Sequence, residues 1–447
     1  MISLLWGDEM TSLKKEISLF GGISILAGIM IGSGIFVFGS LILVRVGYSL
    51  VLSLIAWLLG GIITMFSGLT YAELGTMFPE TGGYYVYLKK AYGKKVAFLS
   101  GMMNFVLSSS GSIALLALIF AEILSYVLPI SSYIKLIAAG MIILLSAINF
   151  FGIKFGALVQ KIFLVAKVIP IVAIIIIGLF MGTESVNLSF SGAGDVGFFK
   201  LLTMIGFGVV GTLWAYEGWT NLNTVAGEMK NAKKDLPKAI VIAIGLVGLL
   251  YVLFIFSIYR IISETNLVSL AASGTVLPIA AMMTLFGDTG MIFVFVAVMI
   301  SVFGALNGSI MVFPRVYYAM AEDKTFIKSF SKLHPKYQTP YISIIGSGLM
   351  ALLLLFFNIE ELLTFVVFGG LIFNTLIFIS IFIFRKKNKD LDRPYKVWGY
   401  PYVPIIAIIG MLSLLVATLI ESFVPSMIGF GVLIVGYVLY QFFMKEK

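Results

Sequence analysis

Uninterrupted apolar runs leave this chain few ways to fold. Val168–Met181, Ala239–Ile262 and Leu362–Phe384 are too apolar to remain in water. About twenty consecutive apolar residues cross the hydrocarbon core of a bilayer as one helix. Lipid offers no hydrogen-bond partners, so each run must satisfy its backbone internally, and a helix does this within one segment. Charged residues make up 11% of the chain, against roughly a quarter in a soluble domain. The bilayer is therefore the solvent, and an all-α polytopic membrane protein is expected.

Apolar windows give twelve spans, at 17–44, 50–78, 96–128, 133–152, 154–182, 199–229, 237–262, 286–321, 340–358, 361–385, 402–422 and 425–443. The loops test that count. With residues 1–16 as a cytoplasmic leader, the inner segments hold Lys14 and Lys15, Lys89 to Lys95, Lys230 to Lys238, Lys324 to Lys336, Arg385 to Lys396, and Lys445 with Lys447. These are 22 of the 30 basic residues, while Arg45, Lys135, Lys200 and Arg260 fall outside. The positive-inside rule then places both termini in the cytoplasm of a cell-membrane protein. One span more or fewer would invert every later loop.

Met1–Ser18 reads as a short polar-to-basic leader and not as a cleavable signal. The polar stretches near 183–198, 322–339 and 386–401 are connectors, so a single transport domain is expected. A net charge of +9 raises the question of nucleic acid, but the basic residues are distributed loop by loop and no nucleic-acid partner is expected. With no cysteine, disulfides and thiolate chemistry are excluded. The single histidine, His334, lies in a charged loop and makes no metal site. No metal, cofactor or catalytic residue is expected.

Two spans carry residues that a plain membrane helix would avoid. Span one contains Gly28, Gly32, Ser33 and Gly34. These either let another helix pack closely, as a small-xxx-small pair, or break the helix, since glycine costs about 1 kcal/mol against alanine there. Span six contains Trp214-Ala215-Tyr216-Glu217-Gly218-Trp219-Thr220-Asn221. A carboxylate at the centre of a membrane helix costs roughly 2.5–3.5 kcal/mol and marks a wet pathway or a partner. Spans one and six also open two groups of five, 17–182 and 199–385. Breaks at matching positions of two such halves point to the binding site of a transporter. A half-helix N-terminus favours an anion, and unwound carbonyls hold a cation, so paired breaks suit a zwitterion. Gly206-x-Gly208-x-x-Gly211 matches a dinucleotide fingerprint, but no strand precedes it and a nucleotide site is rejected. Span five carries Lys154, Lys161 and Lys167. Lys154 at the edge can snorkel, whereas Lys161 is about 10 Å deeper, so at least one amine is expected to point into the protein.

These motifs resemble the amino acid–polyamine–organocation superfamily, and within it the L-type amino acid transporter group, over most of the chain. The resemblance is carried by Ile31-Gly-Ser-Gly-Ile-Phe36, Pro79-Glu-Thr-Gly-Gly-Tyr-Tyr-Val-Tyr-Leu88, Asn149-Phe-Phe-Gly-Ile-Lys154 and Trp214 to Trp219. Gly227-Glu-Met229, Asp235-Leu-Pro237, Ser301 to Gly308 and Arg393-Pro394-Tyr-Lys396 extend it. It implies a LeuT-like fold of five-plus-five inverted repeats with two additional C-terminal helices at 402–443. It also implies that the backbone of Gly32, Ser33 and Gly34 binds a substrate carboxylate. Carbonyls of Met30, Trp214 and Glu217 would face the amino group, with Trp214 as a lid and Ala215 among the substrate-binding residues. Lys154 would stand where sodium-driven relatives hold sodium, and Tyr251 would match a gating tyrosine.

The resemblance thus implies sodium-independent transport or exchange of neutral L-amino acids by alternating access. The alternative is proton-coupled transport of amino acids, polyamines or cationic amino acids. Glu217 separates neutral from cationic substrates according to whether its side chain faces the pocket. Animal members bond a heavy chain through a cysteine between helices three and four, and the loop at Pro129–Tyr133 has none, so no disulfide-linked ancillary subunit is expected. A channel would need a continuous polar stripe, and a membrane enzyme a cluster of catalytic side chains; neither pattern is present.

Overall fold

The computed structural model describes residues 13–189 and 197–445. The leader ahead of residue 13, the middle of the 183–198 connector and Lys447 lie outside the described residues.

The first span is a broken pair, α1 (Leu19–Met30) and α2 (Gly34–Arg45), bent by 47°. Span two is α3 (Leu50–Met77), followed by the short helix α4 (Tyr84–Tyr92), whose first five residues are buried. Span three runs through α5 (Lys94–Met103), a π-helical turn at Asn104–Ser108 and α6 (Ser109–Val127). Spans four and five are α7 (Ile134–Phe150) and α8 (Ile153–Met181). Span six is again broken. It consists of α9 (Phe198–Ala215), an irregular stretch, and α10 (Asn221–Thr224). Span seven is α11 (Ala232–Tyr259), and α12 (Glu264–Ala272) follows it. Span eight comprises α13 (Leu277–Val312) and α14 (Pro314–Glu322). The last four are α15 (Tyr341–Leu354), α16 (Ile359–Lys387), α17 (Tyr402–Glu421) and α18 (Phe423–Lys445).

Among the described residues, ten helices are long and apolar enough to cross a bilayer, and the bent α1–α2 pair makes eleven. The twelfth place is held by α15, whose 14 residues rise about 21 Å, short of the ~30 Å hydrocarbon core. The apolar window at 340–358 is thus longer than the helix it contains. The window at 286–321 errs the other way. Helix α13 starts at Leu277 and bends at Gly287 (φ 58°), so the window found only the part beyond the bend.

Local chemistry fixes several helix starts. The Ser18 hydroxyl accepts from the Gly21 N–H (3.3 Å) and opens α1. Asn358 and Glu361 close a reciprocal capping box at the head of α16, with bonds of 2.9 and 3.0 Å, satisfying two otherwise orphaned N–H groups. Packing then pairs the two sets of five: α2 lies on α9, α3 on α11, α6 on α13, and α7 on α15. Spans one to four therefore each contact the span five places later, as a five-plus-five architecture requires.

The lysine-bearing loops meet on one face. There Lys89 pairs with Asp323 (2.5 Å), Lys233 with Asp392 (2.8 Å) and Arg385 with buried Glu73 (2.6 Å). On the opposite face Arg45 pairs with Glu421 (2.7 Å), and Arg260 donates to the Glu184 and Gly182 carbonyls. These are called the basic face and the opposite face below.

Candidate functional site

The two breaks touch. A Cβ added to Gly34 would stand 2.8 Å from the Ala215 Cα, so only glycine lets the head of α2 approach the end of α9 this closely. From the other side Gly218 takes φ +114°, and its Cβ position lies 3.2 Å from the Met30 backbone nitrogen. Both readings of the span-one glycines hold together: the helix is broken, and its small residues accept close neighbours.

Three side chains bind the broken ends. The Tyr251 hydroxyl, from α11, lies 2.9 Å from the Met30 carbonyl and 3.2 Å from the Ala215 carbonyl, so a single O–H ties both breaks. Its ring is held edge-on against Trp57, and the neighbouring Tyr216 hydroxyl donates to the Trp57 carbonyl at 3.0 Å. From α8, the Lys167 amine donates to the carbonyls of Gly28 (2.7 Å), Ile31 (2.7 Å) and Ser301 (2.8 Å). Three acceptors match the three protons of an ammonium, placed at the negative end of the α1 dipole. The Ser301 hydroxyl faces the Ile31 and Gly32 carbonyls at 2.9 and 3.0 Å. Past the break the Gly32 N–H donates to the Met30 carbonyl (2.9 Å), and the Phe36 and Val37 N–H groups donate to the Ser33 carbonyl (3.0 and 3.1 Å). The Ser33 and Gly34 N–H groups at the head of α2 are left without a backbone acceptor among the described residues, and both residues line an open space.

That space is a cavity of about 460 Å³. Met30, Gly32, Ser33, Gly34, Trp214, Ala215 and Glu217 all line it, so the structure brings together the seven residues singled out for substrate. Trp214 lies beside Phe38 with ring centroids 6.3 Å apart, on the side of the breaks away from the basic face. Glu217 is exposed to the cavity and takes part in no ion pair among the described residues. Among the described residues lining this space there is no lysine, arginine or histidine.

Lys154 requires a correction. It sits exposed in the first turn of α8, next to the basic face and far from the breaks. The amine that meets the α1 break is Lys167, thirteen residues and about 20 Å further along the helix. Motif matching located the start of α8 but carried no information on depth. Lys161 is half-buried at the edge of α1 and does not reach the site.

Several lining residues escaped sequence reasoning. Asn104 and Ser108 come from the π-turn of span three, Ser109 from the first turn of α6 and Asn374 from α16. The polar run Ser108-Ser-Ser-Gly-Ser112 within an apolar span was the available signal. Asn374 also accepts from the Tyr71 hydroxyl.

The cavity opens asymmetrically. Along α6 it extends to Glu122 and Tyr126, toward the opposite face, where it shares Glu122 and Ile359 with an outer recess. Toward the basic face the path is shut. Arg315 and Glu228, each 1% exposed, form an ion pair with contacts of 2.9 and 3.4 Å. Over them the segment before α1 pairs with the segment after α10. The Glu16 and Ile17 N–H groups donate to the Glu228 carbonyl, and the Lys230 N–H to the Ile17 carbonyl, all at 3.0 Å.

Crossed breaks in two matching spans, a central cavity open to one face and a buried lock at the other define a membrane carrier for a small polar solute. The amino acid permease family profile matches residues 17–443. The chain belongs to that family and is a multi-pass amino acid transporter, not an enzyme. It is 36% identical to the serine/threonine exchanger SteT of Bacillus subtilis over 447 residues, covering 98% of this chain and 99% of that one. It is 32% identical to the human b(0,+)-type amino acid transporter 1 over 93% of this chain and 84% of that one. It is 31% identical to the mouse large neutral amino acids transporter small subunit 2 over 97% and 82% of the two chains.

Proposed function

We propose that this protein exchanges neutral L-amino acids without sodium, by alternating access, binding them at the breaks of spans one and six. The observation carrying this reading is that Ser33 and Gly34, whose N–H groups have no backbone acceptor among the described residues, and Trp214, Ala215 and Glu217 at the end of α9 line one cavity across the Gly34–Ala215 contact. The N–H groups suit the substrate carboxylate and the carbonyls of Met30, Trp214, Ala215 and Glu217 suit its ammonium. Trp214 then closes over it, and Tyr251 couples the two breaks. The Lys167 ammonium supports sodium independence, because a sodium ion at the same carbonyls would meet a like charge at contact distance.

The lock at Arg315–Glu228 supports a conformer open to the outside, if the basic face is cytoplasmic as the positive-inside rule directs. Both termini then lie in the cytoplasm of a plasma-membrane carrier that works without a disulfide-linked subunit. The serine/threonine exchanger among the relatives makes serine the first substrate to try. The test uses the purified protein in sodium-free proteoliposomes loaded with serine. Labelled serine is expected to enter, and to enter much more slowly when the vesicles are empty. Absence of uptake for every amino acid pair tried, with or without internal amino acid, overturns the reading.

A second reading is favoured by one observation. The Glu217 side chain lies in the cavity without a basic partner, and Glu122 lies further along the same space. Two carboxylates and no cation favour an added positive charge on the solute. Strong competition by lysine or arginine against labelled serine would place cationic amino acids among the substrates.

A further inference from the structure

Two lysines on the lipid-facing side of α8 take no part in the transport site. Lys154, Leu158, Lys161 and Val165 recur at helical spacing and share one face of α8. Leu158 and Val165 are 50% and 52% exposed, with Phe155 and Ile162 exposed beside them, so this face looks onto lipid. Lys161 turns from it toward α1. Its amine lies 6.0 Å from the ring centroid of Phe20, itself 53% exposed. Its Cε comes within 3.8 Å of the Gly21 Cβ position. The amine therefore stands in the crevice between α1 and α8.

Lys161 is two turns, about 10 Å, deeper than Lys154. Its stem recovers part of that depth by snorkelling toward the basic face. Among the described residues neither amine has a carboxylate within ion-pair distance. Lys14 and Lys15 are exposed just ahead of α1 and add charge at the same end of that helix. The carbonyl end of α1 offers no alternative partner, since Lys167 already occupies it.

We propose that the α1–α8 crevice binds the headgroup of an anionic phospholipid from the leaflet at the basic face. The phosphate lies between Lys154 and Lys161. The acyl chains run along Leu158, Ile162 and Val165, with Phe20 as the facing wall. An exposed apolar helix face below two unpaired amines fits a phospholipid better than a soluble anion, because only the lipid covers both. Since α1 forms one wall, an occupied crevice favours the conformer in which α1 lies against α8.

The absence of cysteine makes the site directly testable. A fluorophore on Phe155→Cys in the full-length protein, reconstituted in phosphatidylcholine vesicles, reports brominated phosphatidylglycerol by quenching. Each lysine near an anionic headgroup is expected to contribute about five-fold. The Lys154→Gln/Lys161→Gln variant should therefore need roughly twenty-five-fold more phosphatidylglycerol for half-quenching, while Lys154→Arg/Lys161→Arg stays close to the parent. An unchanged midpoint in the glutamine variant overturns the proposal. So does equal quenching of the parent by brominated phosphatidylcholine. Displacement of the lipid by millimolar inorganic phosphate would mark a soluble-anion site and overturn the lipid assignment. The readout does not involve transport, so it stands or falls apart from the substrate reading.

Discussion

Breaking the lock at the basic face should turn the cavity around. In Arg315→Met the Glu228 carboxylate loses two contacts, at 2.9 and 3.4 Å, and is left 1% exposed with no counter-charge. Stripping one partner from a buried pair costs about 3–5 kcal/mol, most of it the penalty of the stranded charge. Opening the basic face hydrates that carboxylate and relieves the penalty, whereas the conformer described above retains it. At about 1.4 kcal/mol per tenfold, the equilibrium should move by two to three powers of ten toward the open basic face. A single cysteine at Ser112, which lines the cavity on α6, reads this in a chain with no other thiol. An impermeant thiol reagent added from the opposite face should label the parent readily and the Arg315→Met protein more slowly, by about a hundred-fold where the parent divides evenly between its two conformers. In Arg315→Met/Glu228→Gln no charge is stranded, and labelling should recover by at least half of that loss on a logarithmic scale. Equal labelling of Arg315→Met and the parent would refute the reasoning. So would a double variant slower than the single one, because the penalty would then not be that of an unpaired charge.

Lys167→Met should lower serine exchange by at least about ten-fold, since hydrogen bonds to a charged group are worth ~1.5–3 kcal/mol each and the Gly28 carbonyl is left unpaired; parental exchange in vesicles would contradict it. Gly34→Ala drives a methyl to within 2.8 Å of the Ala215 Cα, an overpacking of about 1–3 kcal/mol. Half-saturation for serine should rise about five-fold or more, while Gly206→Ala, whose methyl meets nothing within 4 Å, leaves it unchanged. Glu217→Gln should lower the ratio of lysine to serine inhibition about ten-fold, measured by competition against one labelled substrate; a constant ratio would assign the side chain no part in selectivity.

Most of the fold was legible because the bilayer reduces it to one variable. Apolar length located the spans, and loop charge fixed their alternation, since an odd error would have scattered the lysines over both faces. The misses occur where length and apolarity part company. Helix α15 has only 14 residues, yet its flanks Pro340 and Leu355–Phe357 widen the apolar window around it. At Gly287 the chain turns through φ 58° within one apolar run, and hydropathy does not register a change of direction. The π-turn at Asn104–Ser108 is equally silent, although it is what aims Asn104 and Ser108 into the cavity.

The site was legible to the extent that backbone carries it. Glycines and an intramembrane carboxylate reveal a break through their own cost, so Gly32, Ser33, Gly34 and Glu217 could be picked from one sequence. A side chain that serves the break from another helix pays no such visible penalty, and its depth and rotation about the axis decide its role. Lys154, Lys161 and Lys167 show this within one helix. They differ by seven and six residues, so each step changes depth by about 10 Å and falls about 20° or 120° short of two full turns in facing. The first reaches the basic face, the second the α1–α8 crevice, and the third the carbonyls of Gly28, Ile31 and Ser301. Only Lys167 finds three acceptors, because only there has α1 unwound and left carbonyls without amides. The break therefore selects its lysine, and knowing the break exists does not by itself say which lysine that is.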